Sequence, residues 1–337
     1  VAMGLNEETD TGGDVLLSGG SADAARGGNV RLVSGRSNDS HSGHISVRTA
    51  DSGESGTSGD LAFSSGDSTD GDSGSVLLQT GIAKNGHGGN IDLKVGTSDT
   101  GNGGGISLLG GRTTAASSAG GDIKIESGVS DADAGGPIEL ITGRGYGPGG
   151  SISLTVGTGE TGDGGDITLS AGETSQGMRK GGDIKLTAGT GDSDSSEGGG
   201  RGGMVRISGG HGNGNATDDV GGRLQLQGGT SEAGIGGDVE IETGKSSNNN
   251  SGKLTMRTQT SGEEGTSGHI EVYTGTSHHG SSGSVSLSTG DSDEGHGGDI
   301  DLQVGTGNTG DGGSVSVVAG ATTAGGATGG AVRIEAG

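Results

Sequence analysis

Three Asn-x-Ser/Thr triplets, at Asn38, Asn215 and Asn249, are the residues of this chain with the plainest chemistry: each is a candidate acceptor for N-linked sugar. Asn38 and Asn249 fall in loops, and Asn215 falls between two segments of unusual spacing, all expected to be exposed. Serine- and threonine-rich loops could also carry O-linked sugar. Eight histidines occur, including the adjacent pair His278 and His279, but no cysteine and no regular His-x-x-x-His accompanies them, so a metal centre built on them is not expected. Catalysis would require a convergent acid, base or nucleophile in a unique pocket. A sequence of near-identical segments offers no such uniqueness, and neither catalytic nor cofactor-binding residues are assigned.

The run TGDGGDITL (Thr161 to Leu169) resembles calcium-binding glycine–aspartate repeats, whose carboxylate and carbonyl oxygens wrap a hard cation. In the nine-residue calcium pattern the apolar residue lies two after the aspartate, whereas Ile167 follows Asp166 directly. Ser75, Ser151, Arg223 and Lys253 also replace the aspartate elsewhere. No metal ligand set is assigned, and calcium stays only as an alternative to diffuse cation attraction.

The frame holding these residues is a repeat. Counting its first apolar residue as position 0 gives twenty-one repeats, mostly fifteen residues apart, from Val15, Val30 and Ile45 to Val315 and Val332. Position +2 is apolar in every repeat and position −2 is glycine in every repeat; +5 is glycine in all but two, Ala50 and Gln259. Apolar residues alternating with mostly polar ones, β-branched at position 0, form the pattern of a strand with one buried face. The flanking glycines suit sharp turns.

Stacked parallel strands of this kind predict an all-β, single-stack parallel β-solenoid over residues 1–337, with about fifteen residues per coil and about 21 coils. Its thin core would be ladders of Ile, Leu and Val, represented by Val15 and Leu17, Ile91 and Leu93, Ile167 and Leu169, Ile184 and Leu186, and Ile300 and Leu302. Its turn glycines would include Gly89, Gly96, Gly165, Gly172, Gly298 and Gly305. At roughly 4.8 Å per coil the rod would extend about 100 Å.

A longer period lies over the short one. Shifting the first eight repeat starts by 209 residues lands on eight others, giving a thirteen-repeat block over 13–209 and a partial second block over 222–337. The exceptions Ala50 and Gln259 are partners under this shift. A shorter echo of 61 residues relates Ile91, Ile106 and Ile123 to Ile152, Ile167 and Ile184. Thirteen divides by neither two nor three, which favours one repeat per coil. Junction loops 189–203 and 210–222 are expected to protrude.

Composition narrows the function classes. Glycine supplies 86 of 337 residues, against two prolines, two tyrosines, one phenylalanine and no tryptophan. A conventional core of large side chains is excluded, and so is collagen. The formal net charge of −24 makes nucleic acid an improbable partner. No apolar run in this segment reaches the roughly 18 residues of a membrane span. The chain begins at Val1 without a signal peptide, and reads as a processed product or an excerpt.

In its GG-D-I-x-L-x-x-G repeats the chain resembles the Gly/Ser/Thr-rich repeat proteins of diatom, oomycete and algal cell surfaces. Some viral fibres and bacterial adhesins look similar. The resemblance covers nearly the whole sequence and carries over no catalytic residue. It implies an extracellular or cell-surface structural role: a stiff acidic fibre, hair or wall component, self-associating or polymerising end to end through uncapped terminal strands. Polysaccharide and divalent cations are further candidate partners, and glycosylation would fit this setting. The alternative is a binding module: an adhesin stalk or viral fibre, or a calcium- or ice-binding surface.

Overall fold

The structure is a computed structural model that describes residues 12–193, 199–214, 216 and 218–336. It divides into two units, Val1–Thr155 and Val156–Gly337, so that the boundary falls inside one repeat and not at the junction loops. The same local structure recurs within each.

Each repeat contributes an extended segment from −2 to +5, followed by a loop bent at its tip. In successive early loops the bends lie at residues 38–40, 54–56, 69–71 and 84–86. Of the expected in-and-out alternation, only the pairing of side chains two residues apart is seen, since among the described residues there is no interior for a second face to point into. Side chains two residues apart meet on one face: Lys124 pairs with Glu126, Ser153 Oγ lies 3.5 Å from Thr155 Oγ1, and Arg223 Nη2 donates to Gln225 Oε1 at 2.6 Å.

The expected β-solenoid is not formed. Among the described residues there is no helix and no strand. The reason lies in where the backbone hydrogen bonds go. Among the described residues, eleven of the fourteen backbone–backbone bonds run from the −2 glycine N–H of one repeat to the +5 glycine C=O of the repeat before, as in Gly28 to Gly20 at 2.8 Å and Gly121 to Gly111 at 2.8 Å. These bonds close eleven of the loops at the neck and pair nothing along the extended segments. The other three are local turns, such as Gly265 to Gly262. Without ladders between segments, the described repeats form no β-sheet.

Nor is there a core. No described side chain is buried, and the accessible surface totals 34463 Å². A folded chain of 32.0 kDa would expose roughly 12,000 Å², and a fully extended one about 46,000 Å². The ladder residues expected inside are all exposed, from Ile91 at 48% to Leu302 at 74%, with Val15, Leu17, Leu93, Ile167, Leu169, Ile184, Leu186 and Ile300 between those limits. Protection lies elsewhere. The twelve half-buried residues among those described all stand at +4 or +7, among them Ser34, Thr49, Ala171, Ala188 and Thr258 at +4 and Ser37, Thr113 and Ser246 at +7.

The neck explains one of the two frame glycines. From Gly28 onward, a Cβ added at any −2 glycine would lie 2.7 to 3.7 Å from an atom of the preceding repeat. The atom is backbone at Gly28 and Gly121, and Val Cγ1 at Gly104, Gly165 and Gly313. At +5 a Cβ would meet open space, and these glycines show no positive φ. Accordingly the only side chains in the frame, Ala50 and Gln259, occur at +5. Expected consequences follow from this asymmetry: Gly28→Ala should open its neck, accelerating amide exchange at residue 28 by on the order of tenfold, the loss of one net hydrogen bond. Gly20→Ala, read by the same NMR exchange measurement, should leave it unchanged.

Candidate functional site

Among the described residues no single cleft gathers chemistry; two repeated features remain, the loop tips and the apolar stripe. A hydroxyl at +7 organises many loops. Ser37, Ser130, Ser231, Ser246 and Ser277 each accept, through Oγ, the N–H three residues on, at 2.8 to 3.1 Å. These small side-chain-to-backbone turns replace backbone pairing that the glycine-rich loop cannot supply. In three repeats a +4 hydroxyl bonds across its own neck. Ser34, Thr274 and Thr289 donate to the carbonyl of the next −2 glycine, at 2.9, 3.2 and 3.2 Å. The sequence signal for both was present in the recurrent Gly-x-Ser/Thr at +5 to +7 and in the small residues at +4.

Loops related by the 61- and 209-residue shifts keep their geometry. Thr113, Thr174 and Thr322 accept from the N–H two residues on, at 3.2, 3.3 and 3.2 Å. Four residues after each of these threonines, Ser117, Met178 and Gly326 share positive φ values of 64°, 61° and 81°. Only the last is the residue type that adopts this conformation without steric cost.

The candidate glycosylation residues Asn38 and Asn249 are exposed and lie in loop bends. The Ser37 turn sits beside Asn38, and Asn249 donates its own N–H to Ser246 Oγ at 3.0 Å while its Oδ1 accepts from Asn250 at 2.8 Å. Asn215 lies outside the described residues. His278 and His279 are exposed in the bend after Ser277, and Asp163 and Asp166 are exposed as well. Among the described residues no three His, Cys, Asp or Glu side chains come together in a way that could hold a metal ion.

Of the turn glycines, Gly165 approaches Val156 Cγ1, Gly89 and Gly298 approach Thr80 and Thr289, and Gly172 accepts from Gly182 at 2.8 Å. Gly96 and Gly305 face open space.

The apolar stripe is the other feature. Phe63, Leu78 and Leu93, the +2 residues of three consecutive repeats, line one open cleft of about 480 Å³ together with Val76 and Leu77. Equivalent side chains are therefore neighbours here although no backbone ladder joins them. Leu77, at +1, was expected on the opposite face. Charge stays off the stripe: no Asp, Glu, Lys or Arg occupies 0 or +2 in any repeat, while ion pairs such as Arg333–Glu335, at 3.9 Å, join +1 to +3.

Comparison with known proteins adds no relative: no protein-family model matches the chain, and no curated protein or solved structure matches it. No helix among the described residues is long and apolar enough to cross a membrane.

Two outcomes are expected from this geometry. Met178→Gly should stabilise its loop by about 1 kcal/mol, and Gly326→Ala should destabilise the matching loop by about as much, read from amide exchange at residues 179 and 327. Chain passed through a secretory pathway should carry N-linked sugar at Asn38 and Asn249, seen as glycosidase-sensitive mass on the two peptides and abolished by Ser40→Ala and Ser251→Ala respectively.

Proposed function

We propose that this chain is a structural protein of the cell surface or extracellular space, an acidic, self-associating component of a fibre, hair or wall, with a mechanical role and no catalytic one. One observation supports the reading above others: all twenty-one repeats leave the same apolar pair uncovered, on a face free of charge. An enzyme concentrates its chemistry at one place. Here the exposed chemistry is multiplied along the chain, which suits assembly over many weak, equivalent contacts.

The rest of the surface fits an aqueous, external setting. Ser, Thr, Asp and Asn crowd the loops, the net charge is −24, and Asn38 and Asn249 lie in exposed bends. High charge of one sign keeps such a chain dispersed until apolar contact overcomes repulsion.

Surface residence is checked on intact cells of the source with a membrane-impermeant amine reagent, followed by mass spectrometry of lysine peptides. Exposed lysines such as Lys84, Lys124 and Lys185 should be labelled before lysis. Labelling confined to lysed cells would overturn the proposal.

A further inference from the structure

Resting on that structural role, we propose that the stripe of 0 and +2 side chains is a docking surface whose occupant is the same stripe of a second copy of this chain. The sequence pattern assigns these residues to an interior, and the structure leaves every one of them in water. Ile91, Ile45 and Ile300, the least exposed of them, still show 48 to 50% of their surface.

The area is sufficient. A Val, Ile or Leu left half to three-quarters exposed presents on the order of 100 Å² of apolar surface. The ten repeats of Val1–Thr155 therefore offer roughly 2,000 Å², against about 800 Å² per partner in a stable interface. A face of this size is far above the few hundred Å² that lone soluble chains leave uncovered.

The occupant follows from spacing and charge. A partner must present apolar pairs two residues apart, repeated about every fifteen residues, with no charge among them and no bulk where the glycine necks crowd. This chain meets every condition. Charge segregation makes pairing through this face the least repulsive approach between two chains of charge −24, because the Lys124–Glu126 and Arg333–Glu335 pairs stand on the +1 and +3 row. The cleft lined by Phe63, Leu78 and Leu93 is the anchor point. At about 480 Å³ it has room for several aliphatic side chains, and Phe63 is the chain's one phenylalanine. An anionic lipid surface, the competing apolar occupant, repels so acidic a chain.

The test is sedimentation velocity of the full chain across a concentration series, with two variants. Phe63→Ser, Leu78→Ser and Leu93→Ser together remove the anchor. Leu109→Ser, Ile141→Ser and Val318→Ser together alter exposed +3 residues. Neither set removes a buried side chain, and amide exchange at Gly121 reports whether the loop necks survive. The unaltered chain is expected to dimerise or assemble further, the anchor variant to weaken association by on the order of tenfold or more, and the +3 variant to change it less than about twofold. A monomer up to about 100 µM would overturn the inference while leaving surface residence untouched, and failed surface labelling with intact pairing would overturn only the functional reading. Equal weakening by both variants, or a monomer that instead binds zwitterionic phosphatidylcholine vesicles through the anchor residues, would also overturn it.

Discussion

The close approach of each −2 glycine to the residues at +4 and +5 of the preceding repeat is the contact from which the rest of this structure follows. Where the neck is closed by its hydrogen bond, it brings together backbone groups seven to fourteen residues apart; the Ser34 hydroxyl reinforces one such neck, and at Thr274 and Thr289 a +4 hydroxyl bonds across the neck instead. Only glycine lets the two strands of the neck come so near. Gly104, Gly165 and Gly313 make the limit visible, since a Cβ there would press on a stiff valine, at 2.7 to 2.8 Å from its Cγ1. Closing so short a loop costs little chain entropy, and the half-buried +4 and +7 residues are what the closure shelters.

A structure held together at necks settles its local geometry without settling its long-range packing. In the extended segments side chains two residues apart pair, as in the +1 to +3 contacts, yet no backbone ladder joins one segment to the next. The apolar side chains consequently contribute little to the isolated chain. Completing the burial of even half of a Val or Leu side chain is worth about 1 kcal/mol, so the stripe represents tens of kcal/mol of hydrophobic stabilisation not realised within one molecule. That imbalance between satisfied loops and unsatisfied faces gives the acidic, repetitive surface a physical reason to associate.

Much of this was legible in the sequence and some was not. The period, the pairing of side chains two residues apart and the crowded −2 position could be read because each is a local property. Ile167 and Leu169 sharing a face needs only an extended backbone between them. What covers that face is not local. The same alternation fits a strand stacked on its own neighbours and a segment awaiting another chain, and the expectation of a solenoid chose the first. The +7 residues escape notice for the opposite reason. Ser37, Thr113 and Ser246 are small and polar, so a pattern of apolar ladders gives them no weight, although they are among the residues the chain shelters. The paired glycines also looked equivalent, yet they differ in surroundings: at −2 a Cβ would touch the preceding repeat, and at Gly28, Gly104, Gly121, Gly165, Gly222 and Gly313 it would come closer than 3.0 Å, whereas at +5 it would meet open space.

The duplications take on a different meaning once the repeat is seen to be self-contained. The thirteen-repeat block had suggested one repeat per coil, on the ground that a copied segment must land on the same face. No such constraint operates here. Every backbone hydrogen bond that closes a neck lies within one connection, so a segment copied 61 or 209 residues along carries its whole local structure with it. Thr113, Thr174 and Thr322 keep the same turn, and Ser117, Met178 and Gly326 keep the same left-handed backbone despite three different side chains. Val95, Val156 and Val304 likewise meet the glycines at 104, 165 and 313. Any number of repeats can therefore be added without disturbing those present.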